Sequence, residues 1–345
     1  MNLKKMAAAG FSALFACSAM CACNASDSRQ NSGKKISIVC TAFAAYDWTK
    51  QILGDLTDRA EITYLLDNGS DLHNYQPSAL DIANISSCDL FIYAGGESDT
   101  WAADAAKDAV NRNMRVVSML DTIGSDAKTE EFKEGMEHEE EAHHEDDPAH
   151  DHTHDGAETE LDEHVWLSLR HAKTICTAIS DQLCVLDSEN QQKYQANCAA
   201  YQAKLDELDR AFSALTDSAK QKTLVFGDRF PFRYFVDDYG LDYYAAFAGC
   251  SAETEASFQT IVFLAGKMDE LQCGTIFTIE NSDKKIARTV IDNTKEHNQT
   301  VAELNSIQSV SRQQIESGTT YLSMMQQNYD VLNAAIGSGA ESKAG

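Results

Sequence analysis

The sequence predicts an α/β protein of two lobes, each a parallel sheet flanked by helices, joined by one long linking helix. Short apolar runs alternate with amphipathic stretches from Lys35 onward, and the same alternation returns near Lys222. Between these two regions, one apolar stripe continues along a single helix. Alternating strands and helices are typical of a parallel sheet covered on both faces. With 345 residues, 43% of them hydrophobic, the chain is long enough to bury such a core.

The N-terminal lobe is expected over residues 35–186. Its predicted strands cover residues 36–39, 61–66, 89–94 and 115–119. Its predicted helices cover residues 44–53, 78–85 and about 102–111, and Pro77 opens the second of them. The order of these elements indicates βαβ connections.

The linking helix is predicted over residues 187–219. Its apolar residues recur at alternating spacings of four and three, as on one face of a helix. They are Tyr194, Cys198, Tyr201, Leu205, Leu208, Phe212 and Leu215. Ser188 with Gln191 resembles a capping box at the helix start. A coiled-coil dimer helix is the alternative, but the stripe is only about three heptads long, so we expect a monomer with a binding cleft beside a rigid strut.

The C-terminal lobe is expected over residues 220–338, followed by a tail over residues 339–345. Its predicted strands cover residues 223–226, 242–247, 275–279 and 300–304. Helices are predicted at residues 231–238, 257–271, 284–296 and 318–336.

The charge of the chain limits its ligands. Its net charge is −26 and its pI is near 4.6. A nucleic-acid partner is excluded, because phosphate backbones require clustered Lys and Arg. The negative field favours cationic ligands.

The N-terminus has the pattern of an export signal. Lys4 and Lys5 precede an apolar run over residues 6–20, which is too short to span a bilayer permanently. The following Cys21-Ala22-Cys23 resembles a bacterial lipobox. We expect a signal peptide over residues 1–22, lipidation of Cys23, and a lipid anchor and tether over residues 23–34. Lipidation of Cys17 and an ordinary cleaved signal are the alternatives. The mature protein is then extracytoplasmic and anchored to the bacterial cell membrane.

The seven cysteines beyond Cys23 contain no CxxC pair. Most are expected to be buried thiols, and their spacing does not predict a disulfide framework.

Residues 130–160 form an acidic, histidine-rich loop with almost no apolar residues. Its six histidines are His138, His143, His144, His150, His152 and His154. Such a segment cannot bury enough surface to fold alone. Imidazole binds zinc, copper and nickel, so we expect weak, exchangeable metal capture by this loop. A solvated acidic insertion is the alternative.

Two further histidines are candidates for an ordered metal site. His73 lies on a loop between a predicted strand and a predicted helix, and His164 joins the acidic loop to the next ordered helix. Ligands of α/β folds bind at the carboxyl ends of parallel strands, where His73 is expected.

Four segments carry a family resemblance, in the order DLHNYQPSALDI, CDLFIYAGGESDTW, DEHVWLSL and GDRFPFRYFVDDYGLDY. They resemble motifs of the zinc and manganese solute-binding lipoproteins of bacterial ABC importers, the ZnuA-like group. The resemblance spans nearly all of the mature chain. It implies two α/β lobes joined by a long helix, a metal in the cleft with His73 and His164 as ligands, and delivery to an ABC permease and its ATPase.

The sequence departs from the family at the third motif. A histidine or glutamate is usual there, whereas this chain carries Arg229, which has no acceptor atom and cannot bind a metal. The segment at Asn305 also lacks the aspartate found in manganese binders. A four-coordinate zinc site needs about two more donors beyond the two histidines, and carboxylates can serve. Glu280 and Asp228 are the first candidates, followed by Glu255 and Glu253.

These features predict the metal-binding component of an ABC importer, with zinc as the cargo and manganese as the alternative. A zinc hydrolase using Glu255 or Glu280 as base is a second hypothesis, although no HExxH motif is present. A surface adhesin sharing the fold is a third. The first hypothesis involves no catalysis.

Overall fold

The computed structural model describes residues 35–137, 160–251 and 255–337. The signal peptide, Cys23, the tether, Glu253 and the C-terminal tail lie outside the described residues. The six loop histidines, His138, His143, His144, His150, His152 and His154, also lie outside them.

The N-terminal sheet consists of β1 (Ile36–Cys40), β2 (Ala60–Tyr64), β3 (Leu90–Tyr93) and β4 (Arg115–Ser118). All pairings are parallel and the strand order is β2-β1-β3-β4. The order reverses between β1 and β3, so the loops that follow these strands diverge and open a crevice. The helices of this lobe are α1 (Phe43–Leu53), α2 (Ala79–Ser87), α3 (Thr100–Lys107) and α4 (Met119–Ile123).

Two long helices connect the sheets: α5 (Leu169–Leu186) and α6 (Gln191–Ser218). The 28 residues of α6 make it about 42 Å long. All seven residues of the predicted stripe are buried, and α6 packs against both α5 and α1. The predicted capping box is wrong, because Ser188 begins a 3-10 turn over Ser188–Asn190 and no side chain caps α6.

The C-terminal sheet consists of β5 (Thr223–Phe230), β6 (Asp242–Ala248), β7 (Thr275–Thr278) and β8 (Thr300–Glu303). It repeats the topology of the first sheet, in the parallel order β6-β5-β7-β8. Its helices are α7 (Arg233–Asp238), α8 (Phe258–Leu271), α9 (Lys285–Asp292), α10 (Arg312–Glu316) and α11 (Tyr321–Ile336).

Strand β5 is longer than its apolar pattern predicts. Its register with β6 shifts between Phe226 and Arg229, and pairing then resumes through Phe230. The strand therefore includes the polar residues Asp228 and Arg229, which the hydrophobic pattern had placed in a loop. The following helix accordingly starts at Arg233 instead of Pro231.

The two lobes share one apolar core. A continuous cluster of buried side chains extends from β1 through α5 and α6 to α11 and into the C-terminal sheet. A second cluster, with Val225, Leu264 and Met268 among its members, packs the C-terminal sheet against α8 and α9. The predicted fold class is confirmed, while the exact lobe boundaries stay a prediction. Among the described helices, none is long and apolar enough to cross a membrane.

Candidate metal centre

His73 lies in a 3-10 turn, Leu72–Asn74, that follows the end of β2. The Asp71 carboxylate accepts a hydrogen bond from the backbone N–H of His73 at 3.0 Å and so starts this turn. The imidazole side chain is 6% exposed. Its Nδ1 lies 2.8 Å from Ser98 Oγ and 3.1 Å from Glu163 Oε1, so two oxygen atoms from distant segments orient the ring.

His164 precedes the 3-10 turn Val165–Leu167, which leads into α5, and it is fully buried. Asp162 Oδ1 accepts from its backbone N–H at 2.9 Å and lies 3.0 Å from its ring Nδ1. Gly249, after β6, passes close to the ring, because a Cβ there would lie 3.2 Å from His164 Cε1. The ring is therefore held by a carboxylate on one side and by backbone on another.

The two imidazoles face each other. His73 Nε2 lies 3.1 Å from His164 Nε2, and the ring centroids are 5.2 Å apart. Both Nδ1 atoms lie against oxygen acceptors, which favours the tautomer with hydrogen on Nδ1 and a lone pair on Nε2. Two lone pairs at this distance repel unless a proton or a metal cation lies between them.

Cys250 is the third member of this cluster. Its Sγ and one ligand nitrogen from each histidine all lie within 4.8 Å of one another. Its backbone N–H donates to Glu130 Oε1 at 2.9 Å, and its Sγ lies 3.7 Å from Glu163 Oε1. Sequence patterns do not mark this residue, because a single cysteine has no spacing motif. Its place just after β6 was the available signal.

Glu163 is a buried carboxylate at the centre of this group, with a side chain 1% exposed. Its Oε1 accepts a hydrogen bond from Ser98 Oγ, whereas its Oε2 is buried without a hydrogen-bond partner. Gly96 makes room for it: a Cβ at Gly96 would lie 2.7 Å from Glu163 Oε2.

The electrostatics of the site follow from these contacts. Burial alone would raise the pKa of Glu163, but the hydrogen bond and charge of His73 lower it overall. Burial alone would lower the pKa of His164, but the neighbouring Asp162 and Glu163 charges raise it overall. The carboxylates therefore favour positive charge on or between the rings.

The structure describes three of the predicted carboxylate candidates, Glu280, Asp228 and Glu255, and does not bring them into this cluster. Both Glu280 oxygens are occupied, since Oε2 accepts from Ser306 N at 2.7 Å and Oε1 from Ser306 Oγ at 2.7 Å and Gln308 N at 3.2 Å. Asp228 accepts backbone N–H groups of the C-terminal lobe. Glu255 is exposed. Its charge adds to the larger effect of Asp283, and together they raise the pKa of Lys285 against a small opposing effect of burial. Their assignment as ligands stays a prediction that their contacts do not support.

An open cavity of about 450 Å³ lies between the lobes. Asp71, Arg229, Asp228 and Glu280 line it, together with polar residues of the loop after β7, and the described lining does not include the histidine pair. Arg229 crosses this cleft to Asp71, with 2.6 Å between Nη2 and Oδ2. The position expected to differ from the family thus carries an interlobe ion pair.

The two described segments that flank residues 138–159 pair with each other shortly before His164 in the chain. Thr129 and Leu161 form an antiparallel bridge, and Asp162 N donates to Lys128 O at 2.8 Å. The first of these segments continues to Glu137, whose backbone N–H donates to Ala246 O of β6 at 2.9 Å.

The fold and the site define a class: an α/β protein of two lobes with a buried histidine pair beside the interlobe cleft. The model of the family described as zinc-uptake complex component A, periplasmic (ZnuA), matches residues 38–335. The chain belongs to this family.

Known members of the family resemble the chain over most of its length. The high-affinity zinc uptake system protein ZnuA of Bacillus subtilis is 29% identical over 309 residues, which are 90% of each chain. The zinc-binding lipoprotein AdcA of Streptococcus pneumoniae is 30% identical over 307 residues, 89% of this chain. The match spans only 57% of AdcA, so the chain covers little more than half of that longer relative.

The solved structures agree with this result. The crystal structure of the Zn(II)-bound ZnuA-like domain of S. pneumoniae AdcA superposes with a TM-score of 0.67 at 26% identity. The superposition covers 88% of this chain and 99% of that domain.

Proposed function

We propose that this protein is the extracytoplasmic zinc-binding component of an ABC importer, which captures zinc at the histidine pair and delivers it to a membrane permease and its ATPase. The observation that carries the proposal is the pair of buried Nε2 atoms of His73 and His164, 3.1 Å apart. Two nitrogens bound to one tetrahedral zinc ion at ~2.05 Å lie about 3.3 Å apart. The free side chains are therefore already near their bound separation.

The surroundings of the pair support a metal site. Glu163 and Asp162 lie against the Nδ1 atoms, an arrangement that orients metal-binding histidines and raises their basicity. Zinc is the proposed cargo because the relatives compared above are named as zinc proteins and because two imidazoles suit zinc.

The hydrolase hypothesis lacks a positioned base. Glu280 is held by Ser306 and Gln308, and Glu255 is exposed beside Lys285. The adhesin hypothesis is not favoured by the family to which the chain belongs. We therefore propose binding and release without catalysis.

Calorimetric titration of the exported chain with zinc tests the proposal. The wild type is expected to show one tight site, and the double variant His73→Ala, His164→Ala is expected to lose it while the weak sites remain. His297→Asn is the matched control, because it removes an exposed imidazole and asparagine tolerates the positive φ of 49° at this position. Retention of the tight site by the double variant would rule the proposal out.

We also propose that the six loop histidines collect zinc for this site. Supporting this, the segments that flank the loop pair through Thr129 and Leu161, and the second of them leads directly to His164. Replacing all six by asparagine is expected to remove the weak calorimetric sites and leave the tight one. Loss of the tight site instead would assign its ligands to the loop.

Membrane attachment is proposed to occur through Cys23. The lipobox-like sequence supports it, as does a relative named a lipoprotein. Cys23→Ser is expected to move the protein from the membrane fraction to the soluble extracytoplasmic fraction, whereas Cys17→Ser leaves it in place. The reverse result would identify Cys17 as the lipidated residue.

A further inference from the structure

We propose that Cys250 supplies a thiolate as the third ligand of the zinc site, which makes the site selective for thiophilic metal ions over manganese. This inference rests on the proposed zinc site at His73 and His164. No spacing motif identifies Cys250, which lies in the C-terminal lobe, whereas His73 lies in the N-terminal lobe.

The geometry of the cluster supports a sulfur ligand. Among the described residues, His73, His164 and Cys250 are the one group of three potential ligands whose donor atoms all lie within 4.8 Å of one another. A thiolate sulfur and an imidazole nitrogen on one tetrahedral zinc ion lie about 3.6 Å apart, given bond lengths of ~2.3 and ~2.05 Å. A movement on the order of 1 Å therefore closes the shell.

The backbone around Cys250 is already fixed. Its N–H donates to Glu130 Oε1 at 2.9 Å, and the preceding Gly249 lies against the His164 ring. These contacts come from the segment that leads into the acidic loop and from the residue that would share the metal. Sγ is thus held beside the two imidazoles by the tertiary fold.

A second, independent observation indicates a cation at this place. Glu163 Oε2 is buried and has no hydrogen-bond partner, although its carboxylate also lies against His73 and within 3.7 Å of Cys250 Sγ. An unpaired carboxylate oxygen is costly in a protein interior unless a positive charge is near. A divalent ion held by both imidazoles and the sulfur supplies that charge.

Binding of the metal converts the thiol to a thiolate. The S–H bond breaks, the proton leaves to solvent, and the sulfur lone pair forms the bond to zinc.

A sulfur ligand changes which ions the site retains. Thiolates favour zinc and other soft or borderline ions, whereas manganese is bound mainly by carboxylates and other oxygen ligands. Arg229, on the neighbouring strand β5, is engaged by Asp71 and offers no donor atom to a metal. The cysteine is therefore the residue that determines metal selectivity from the C-terminal lobe.

X-ray absorption at the zinc edge tests the inference on the full mature chain loaded with one equivalent of zinc. One sulfur at ~2.3 Å is expected beside nitrogen or oxygen ligands at ~2.0–2.1 Å. Cys250→Ser is expected to lose the sulfur signal and to raise the zinc Kd by roughly 100-fold or more. Cys184→Ser is the matched control, because Cys184 is also only partly buried and lies near the far end of α5.

A second measurement separates ligation from packing. Cys250→Asp is expected to lower the ratio of the manganese Kd to the zinc Kd by at least tenfold, because an oxygen ligand replaces sulfur. If Cys250 had only a structural role, its substitution would weaken the binding of both ions equally and leave this ratio unchanged.

The outcomes distinguish this inference from the proposed function. If the wild type binds zinc tightly but the ion has only nitrogen and oxygen ligands, Cys250 is not a ligand and the histidine site remains. Absence of a tight site in the wild type overturns both. If Cys250→Ser fails to fold, the wild-type absorption spectrum alone decides.

Discussion

At the residue scale, the same local hydrogen bond positions both histidines. Each stands two residues after an aspartate, in DLH and DEH, and each aspartate accepts a hydrogen bond from the backbone N–H of its histidine, at 3.0 and 2.9 Å. Aspartate commonly bonds to the backbone two residues on, which bends the chain into a turn. Local sequence therefore sets the backbone at His73 and His164, while the opposite sides of the pocket come from elsewhere.

Asp162 also orients the His164 ring through Nδ1. Asp162→Ala is expected to raise the zinc Kd by roughly 10–100-fold, as is usual when the carboxylate behind a ligating histidine is removed. Glu97→Ala, on the loop after β3 and exposed, is the control. Equal zinc affinity in the two variants, measured by calorimetry, would contradict the orienting role.

Gly96 allows Glu163 to approach the histidines. Its φ is +81°, and a Cβ would lie 2.7 Å from Glu163 Oε2. Gly96→Ala is expected to weaken zinc binding at least tenfold by displacing that carboxylate, and to lower stability by about 1–3 kcal/mol. Gly124→Ala is matched in backbone strain, with φ +57° and open space around it, so it should lose stability but retain zinc affinity. A normal zinc Kd for Gly96→Ala would show that the close approach is unimportant.

Asp99 gives the fold a dependence on pH. Burial raises its pKa to about 7, although hydrogen bonds from Thr41 and Ala94 act in the opposite direction. The folded state then keeps a proton that the unfolded state releases at lower pH, so this group's contribution to stability falls as pH rises from about 4 to about 7. As the pH rises from about 5 to about 7.5, the free energy of unfolding of the metal-free wild type should fall by about 2–3 kcal/mol relative to that of Asp99→Asn. Urea unfolding measures both. Asp104 is an exposed aspartate on α3, so the control variant Asp104→Asn should show the same pH dependence as the wild type. Parallel pH profiles for all three proteins would refute this prediction.

At the element scale, α6 is more than a connection between lobes. Its buried stripe packs on α5 and α1, and near its C-terminal end Phe212 contacts the rings of Phe235, Tyr239 and Tyr329. These rings belong to α7, to the residue just after it and to α11. Helix α6 therefore carries the core of the first lobe into the second.

Phe212→Ala tests this role. The side chain is fully buried, so its removal is expected to lower the free energy of unfolding by about 3–5 kcal/mol. Glu207→Ala, on the exposed face of the same helix, should change it by less than about 0.5 kcal/mol. Urea unfolding measures both, and similar small losses would mean that α6 contributes little to the shared core.

At the scale of the whole molecule, two ion pairs join the segment that carries His73 to the C-terminal lobe. Arg229 pairs with Asp71, which also forms the turn at His73, and Arg312 pairs with Asp67. The first pair is mostly buried, whereas the Arg312 side chain is exposed. Solvent weakens the second pair much more than the first.

Arg229→Gln is expected to destabilise the protein by about 1.5–3 kcal/mol, because it removes a charge-assisted hydrogen bond and leaves Asp71 partly buried without its cation. A several-fold rise in the zinc Kd should accompany this loss, since Asp71 positions His73. Arg312→Gln should alter neither quantity measurably. Thermal unfolding and calorimetry provide the measurements, and an unaltered zinc Kd in Arg229→Gln would separate the ion pair from the site.

Local patterns in the chain were sufficient to predict the fold class, the apolar stripe on α6 and the candidate histidines. Strand and helix periodicity depends on neighbours a few residues apart, and the Asp-x-His turns are equally local. The family motifs then marked His73 and His164, which the structure brings together.

Only the tertiary structure decided which side chains surround the pair. Glu163 meets His73 across 90 positions and Cys250 meets Glu163 across 87, while Glu280 turns to Ser306 instead. Such contacts depend on how the edges of two sheets face each other, and periodicity carries no information about that arrangement. The register shift in β5 and the position of Cys250 beside the two histidines were therefore not visible in the sequence.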